Sequence, residues 1–456
     1  LASMTGHIAS KGRARFAACA LCLALAFGLA AAPGAALADV RKADVVYGQT
    51  VDARGLSVAQ CPSIDAEYAA VMDAEGTVYF ERNADAPTQI ASITKIMTGL
   101  VALDAVAAGA VSLDTPITVS AEAASVGESS AELQEGDVLD LGTALKALLV
   151  PSGNDAAVAI AETVGGSVEG FVEMMNAKAA ELGCTDTVYE NPHGLDYDAY
   201  EGNLHSTAAD VARVVQAAMK DDTFRAIVGG GSTTIQVERG GQTADIYLET
   251  TDGFLDIYEH AIGVKTGVTL LAGPSFAGAA NNGERELYAI VIHSSSEAQR
   301  FEDAKTLCEW VYAHLVNYPL ANSPETTVYQ GAEVPVIAEV AHEDWIDKTV
   351  KATLSEPEAA VDIFDLNGNV SQSLEFEKLS GNVRAGDKVG TATFKQRNAV
   401  IATFDLVACE DVAAPDFFEG VGIWWDRLFR GFSGQEGTAQ TVTLNETPLI
   451  IDKTAA

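Results

Sequence analysis

The stretch Ala91-Ser92-Ile93-Thr94-Lys95 decides how the rest of the chain is read. It stands where the polar, proline-containing residues 84–89 give way to the apolar run 96–107. Side chains three apart share a helix face, so the Ser92 hydroxyl and the Lys95 amine can meet in one cleft while Ile93 and Met97 point elsewhere. A helix start suits an attacking serine, because its unpaired backbone N–H groups favour developing negative charge. Taken alone, this spacing more often marks a helix cap followed by a solvated lysine. Here it is the only SxxK in the chain, and Ser152-Gly153-Asn154 and Lys265-Thr266-Gly267 follow it in that order.

Length and charge bound the possibilities. The chain has 456 residues, 48% of them apolar, which is enough for two or three domains with substantial cores. Its 28 basic against 64 acidic residues give a net charge of -36, which repels nucleic acid and excludes it as a partner. Residues 1–38 carry Lys11, Arg13 and Arg15, the apolar run 16–32 and then Ala36-Leu37-Ala38, the pattern of a secretory signal peptide. Of six cysteines, Cys61, Cys184, Cys308 and Cys409 lie beyond that segment, too dispersed for a disulfide scaffold and without zinc-ligand spacing. No metal and no cofactor is expected.

Outward from the serine, residues 68–81 read as a hairpin about the turn 73–76, and residues 141–150 as a helix stopped by Pro151, which delivers Ser152. Residues 155–164, 168–182 and 207–219 have helical periodicity and suggest a helical subdomain. Between them Asn191-Pro192-His193-Gly194-Leu195-Asp196 is a loop, in which His193 reads as a hydrogen-bonder rather than a catalyst. Strands are expected at 262–269, 275–280 and 287–293, which puts Lys265-Thr266-Gly267 on a strand, and a helix at 297–315 closes the first domain. Residues 318–325 read as a linker, 327–410 as a small all-β domain, and 433–456 as a polar tail.

The chemistry follows from the residue types. A serine hydroxyl needs a base, and a lysine serves only if its amine is neutral near pH 7, a state that burial and a second cation both favour. Lys265 is the candidate second cation, and with the Thr266 hydroxyl it would attract a peptide's terminal carboxylate. Ser152 can relay a proton to the leaving group, and Asn154 can hold Lys95 and bond the substrate amide. Backbone N–H groups of Ser92 and Val268 would form the oxyanion hole, and Gly267 lets substrate approach the strand.

The ordered triple resembles the signature of the penicillin-recognising serine enzymes. With Met97-Thr98, Asp155-Ala156, the loop 191–195, Ser206-Thr207-Ala208, Thr269, Ala272 and Gly273, it is similar to the D-alanyl-D-alanine carboxypeptidase family, low-molecular-mass penicillin-binding proteins, over residues 66–432. The resemblance implies an α/β (α+β) catalytic domain of β-lactamase/transpeptidase-like fold at 39–320, an antiparallel sheet flanked by helices. It also implies an all-β domain at 321–412 and a terminal amphipathic membrane helix at 413–432. The implied substrate is a peptidoglycan stem peptide ending in D-Ala-D-Ala, with β-lactam antibiotics as mimics. The chain is then an exported serine peptidase peripherally attached to the outer face of the cytoplasmic membrane. Two departures stand out: Glu249-Thr250-Thr251-Asp252 replaces the family's Asn-rich segment, and Val268 a polar or aromatic residue. Two alternatives stay open, a β-lactamase of the same fold and a penicillin sensor or wall-binding protein without turnover. No deacylation motif is recognisable, although Glu128, Glu132 and Glu135 lie between the first two motifs.

A second Ser380-Gly381-Asn382 lies after Lys265, out of order, and reads as a turn. Beyond it Phe417, Val421, Trp424, Leu428 and Phe432 recur at helical spacing, opposite Asp416, Glu419, Asp426, Arg427 and Arg430. Residues 416–432 are too short and too charged to span a bilayer, and predict a helix lying in the membrane interface.

Overall fold

The computed structural model describes residues 44–46, 49–50 and 61–450. The expected signal peptide lies outside the described residues. The chain divides into two units, residues 1–309 and 310–456.

In the first unit a seven-stranded antiparallel sheet contains β1 (Asp44–Val46), β2 (Gln49–Thr50), β3 (Tyr68–Asp73) and β4 (Val78–Arg82). A four-stranded sheet joins β5 (Pro116–Thr118), β6 (Val138–Asp140), β7 (Thr233–Arg239) and β8 (Gln242–Leu248). The large sheet is completed by β9 (Ala261–Gly267), β10 (Ser275–Asn281) and β11 (Glu286–Ile292), in the order β2-β1-β4-β3-β11-β10-β9. Central β11 is an unbroken apolar run because both its faces are buried. β10 sets Phe276 among small residues and is buried along its length up to Asn281. β9 ends the order, so among the described residues one edge of the motif-bearing strand has no strand beside it.

The helices are α1 (Lys95–Ala107), α2 (Ala121–Ser125), α3 (Leu141–Leu149), α4 (Asn154–Gly165), α5 (Val168–Glu181), α6 (Ala208–Ala218), α7 (Asp222–Val228), α8 (Phe254–Ile257) and α9 (Gln299–His314). Their starts follow local chemistry: Asp140 Oδ1 accepts from Thr143 N at 2.6 Å to cap α3, and Thr207 Oγ1 accepts from Asp210 N at 3.0 Å to cap α6. α1 is nearly all buried, as its apolar run requires, and one core cluster joins it to α3, α4, α6 and the large sheet.

Hairpin β7–β8 fills a stretch in which no element is expected from the sequence. Ile235 and Val237 on one strand and Ile246 and Leu248 on the other bury a single face, and Gly240-Gly241 form the turn with φ of +60° and +79°. The linker expected at 318–325 is displaced as well. Tyr318 and Pro319 belong to strand Leu315–Pro319, which pairs with Ala360–Phe364, and Tyr318 and Leu320 are core residues of the second unit. Apolar side chains there overrode the linker signal of Pro319.

The second unit centres on a six-stranded sheet in the order Val370–Phe376, Lys388–Gln396, Ala399–Ala408, Thr349–Leu354, Ala338–Ala341, Val442–Thr443. Its last strand comes from the segment read as a polar tail. The final helix, α10 (Phe417–Ser433), lies between Ala399–Ala408 and that strand in the chain.

Candidate active site

Ser92 stands on a single 3-10 turn, Ala91–Thr94, that runs into α1 at Lys95, rather than on an α-helical start. Residues three apart eclipse in 3-10 geometry, and the tighter turn brings Lys95 Nζ to 2.9 Å from Ser92 Oγ. The lysine is fully buried. Its other partners are Asn154 Oδ1 at 2.7 Å and the His193 carbonyl at 2.9 Å.

Those partners decide what the amine can do. Both are acceptors only, so a neutral Lys95 spends its two N–H donors on them, and its lone pair is left for the Ser92 hydroxyl. Burial moves the Lys95 pKa well below the usual lysine range, the charge of Lys265 moves it further down, and Asp155 opposes them. The neutral form is thus favoured by the site itself.

Each partner is in turn held. Asn154 opens α4, and its Nδ2 donates to the Gly127 carbonyl at 2.9 Å. The Asp155 carboxylate accepts from Ser130 Oγ at 2.6 Å and from the Ala131 and Leu133 amides at 3.0 and 3.1 Å, which fastens residues 127–133 beside the cleft. Loop 191–195 is fixed to α1 through Thr98 Oγ1, which donates to the Pro192 carbonyl at 2.6 Å. Gly194 has φ +92°, and a Cβ there would sit 1.9 Å from the Ala91 carbonyl oxygen, so only glycine lets the loop close on the serine turn. His193 offers Lys95 its carbonyl and not its ring. The buried imidazole accepts from Leu195 N at 3.2 Å and is pushed down to about 3 by burial and by Lys95, so it stays neutral.

Ser152 sits between α3 and α4 with φ +67°, and its Oγ is buried with no partner among the described residues. A strained backbone and an unused buried hydroxyl together mark a group reserved for a ligand.

On β9, Lys265 is buried and donates to the Thr266 carbonyl at 3.0 Å, while Thr266 Oγ1 lies 2.7 Å from Thr251 Oγ1. A Cβ at Gly267 would stand 2.7 Å from the Ile90 carbonyl and 3.1 Å from Ile93 N. That glycine therefore lets the strand approach the serine turn, a closer constraint than the approach of substrate. Val268 follows the strand end with its side chain half exposed.

The structure adds two charged groups with no sequence signal to reveal them. Asp252 and Arg300 are both buried, and Arg300 Nη1 lies 3.4 Å from the Gly267 carbonyl. Burial pushes Asp252 up to about 7 and Lys265 down to about 7, and the charge of each holds the other back from moving further. Arg300 also lowers Lys265. Charges far apart in sequence meet only once β9 and α9 are in place.

A serine beside a buried lysine, with a second hydroxyl and a lysine-bearing strand in the same unit, is the set of groups that a serine acyl-transfer enzyme of the penicillin-recognising fold requires. Residues 56–296 match the model of the D-alanyl-D-alanine carboxypeptidase family. The chain is 28% identical over 347 residues to D-alanyl-D-alanine carboxypeptidase DacF of Bacillus subtilis, covering 75% of this chain and 84% of that one. It is 34% identical over 246 residues to DacB2 of Mycobacterium tuberculosis, covering 52% and 79%. Among solved structures it is similar to the Streptomyces K15 DD-transpeptidase (29% identity, TM-score 0.51, covering 55% of this chain and 98% of that one). It shares its fold with DacD of Francisella tularensis (22% identity, TM-score 0.55, covering 78% and 96%). The chain belongs to the D-alanyl-D-alanine carboxypeptidase family and is a serine-type peptidase.

Proposed function

We propose that Ser92 forms the acyl-enzyme with peptidoglycan stem peptides ending in D-Ala-D-Ala, Lys95 acting as its base. The observation that carries this is the Lys95 hydrogen-bond set, two pure acceptors and the serine hydroxyl. Lys95 takes the Ser92 proton as Oγ attacks the carbonyl carbon of the penultimate D-alanine. The backbone N–H groups of Ser92 and Val268 receive the oxyanion. Collapse breaks the C–N bond, Ser152 relays to the departing amine the proton that Lys95 took from Ser92, and water then hydrolyses the ester with Lys95, neutral again, as base. The substrate lies along the open edge of β9 as an added strand, its terminal carboxylate on Lys265 and Thr266 with Arg300 behind, and Asn154 holds Lys95.

The catalytic unit carries this chemistry, the β unit supports it, and residues 416–432 attach the protein to the outer face of the membrane. No residue of α10 is buried, and apart from half-buried Ile423 its large apolar side chains are 39% (Leu428) to 82% (Phe418) exposed, so the aromatic stripe is not packed on the β unit. Its polar side is fastened instead: the Arg427 guanidinium donates to the carbonyls of Glu343, Trp345 (3.1 Å) and Gly437 (2.9 Å). Among the described residues no helix is long and apolar enough to cross a bilayer. A tethered helix with an unpartnered aromatic face suits the headgroup region.

Sustained release of D-alanine from a D-Ala-D-Ala peptide, faster than hydrolysis of penicillin, is the expected result. Faster penicillin hydrolysis would make the protein a β-lactamase, and acylation without release a sensor.

A further inference from the structure

Behind the substrate edge of β9 lie three buried ionisable groups, Asp252, Lys265 and Arg300, from three separate elements. Their hydrogen bonding is incomplete. Asp252 Oδ1 accepts from Phe254 N at 2.9 Å, while Oδ2 is buried with no partner among the described residues. Arg300 Nε is likewise buried and unpartnered, and only Nη2 reaches an acid, Glu297 at 3.1 Å near the surface. The segment before Asp252 is wedged at the cleft: Thr251 N donates to the Val150 carbonyl at 3.2 Å, and Thr251 Oγ1 lies 2.7 Å from Thr266 Oγ1. A buried carboxylate with an unused oxygen is costly unless cations compensate it, and two buried cations are costly unless an anion does.

We propose that Asp252 is a positioning residue for the reaction, the internal counter-ion that keeps Lys265 charged in the empty cleft. Of the three buried groups two are cations and one an acid, which leaves one positive charge inside for the terminal carboxylate of the substrate, since the Glu297 carboxylate on Arg300 is 67% exposed and screened by solvent. The charges that face Asp252 are Lys265 on β9, Arg300 on α9 and Asp256 on α8, and those acting on Lys265 are Asp252 and Arg300. Without the anion, Lys265 is left with Arg300 and with Lys95, whose amine its charge helps keep neutral, and it gives up its proton at lower pH. The inference rests on the assignment of Lys265 to the substrate carboxylate.

Asp252→Asn separates charge from structure, because an asparagine oxygen still accepts from Phe254 N. KM and kcat for a D-Ala-D-Ala peptide are measured from pH 5.5 to 8.5, with the C-terminal amide of the same peptide as a competitive inhibitor. In the wild type KM rises as Lys265 deprotonates. In Asp252→Asn KM is higher from about pH 7 upward, where the Asp252 carboxyl is ionised in the wild type, by up to about tenfold, and kcat changes less than about twofold. Inhibition by the amide, which has no carboxylate, is the same in both proteins. Superimposed KM profiles, or equal losses for acid and amide, overturn the proposal while leaving a wild type that releases D-alanine correctly assigned. A wild type that releases no D-alanine removes the functional reading and this inference together.

Discussion

Lys95 carries a division of labour that a charged side chain cannot perform. An arginine at 95 would remain protonated and have no lone pair, so Lys95→Arg is expected to lower kcat by at least about a thousandfold in a D-alanine release assay. The pH dependence follows with its sign. Activity appears as pH rises through the depressed Lys95 pKa and the amine becomes neutral, and it falls again as Lys265 loses its proton at about 7. A bell-shaped kcat/KM profile is expected, and Lys265→Arg should remove the alkaline limb, because a guanidinium stays charged. A Lys265→Arg profile with the wild-type alkaline limb would detach that limb from residue 265. Ser152→Ala is expected to lower kcat by about a hundredfold or more, and Ser380→Ala to leave it unchanged. The second copy of the motif is structural: the Gly381 amide donates to Asp344 Oδ2 at 2.6 Å, and Asn382 Oδ1 accepts from Ala414 N at 2.8 Å. Equal losses in both variants would contradict the assignment. At this scale the meeting of Lys95 with Ser92 and Asn154 was legible from spacing and order. Asp252 and Arg300 were not, since a charged residue shows its burial only in three dimensions.

Among the elements, those with strong local signals were legible: the capped helices α3 and α6, the hairpin β3–β4 and the apolar run of β11. Hairpin β7–β8 had no reading in the sequence although residues 233–248 alternate, because its two strands are short and the helical runs before it end at 219. The 3-10 turn at Ala91–Thr94 is a matter of tertiary closure: Gly194 and Gly267 both admit neighbours to its backbone. Gly194→Ala is expected to destabilise the catalytic unit by at least about 2 kcal/mol, read as a lower denaturant midpoint, since it combines strain with a clash. The amphipathic helix was legible from spacing alone. Its start is strengthened by a capping box, in which Asp416 Oδ1 accepts from Glu419 N and Glu419 Oε2 from Asp416 N, both at 2.8 Å. That offsets the weakening by Gly420 and Gly422. Replacing Phe417, Trp424 and Phe432 by serine should abolish sedimentation with neutral liposomes and leave peptide turnover unchanged. Sedimentation at the wild-type level would sink the interfacial reading.

For the molecule as a whole, the division into a catalytic unit and a β unit was legible, and the role of the C-terminal segment was not. Val442–Thr443 pairs with Ala338–Ala341, and Asn445 is buried. Its Nδ2 donates to the Leu320 carbonyl at 3.0 Å and to Gln372 Oε1 at 2.7 Å, and its Oδ1 accepts from Asn322 N at 2.7 Å. The helix is thus a segment tied to the β unit on both sides, and a chain ended at Ala414 would lose sheet as well as helix. Polar composition hid this, because the segment is held mainly by hydrogen bonds, with Ile450 packed against the core of the second unit. Asn445→Ala strands several buried partners, and a loss of about 2 kcal/mol in the β unit is expected on chemical denaturation. The central claim is that Ser92 is the residue acylated. Its most direct test is to react the protein with penicillin, digest it and locate the adduct by mass spectrometry. The predicted result is one penicilloyl group on Ser92, absent from Ser92→Ala, whereas an adduct on any other residue, or unchanged labelling of Ser92→Ala, would contradict the account.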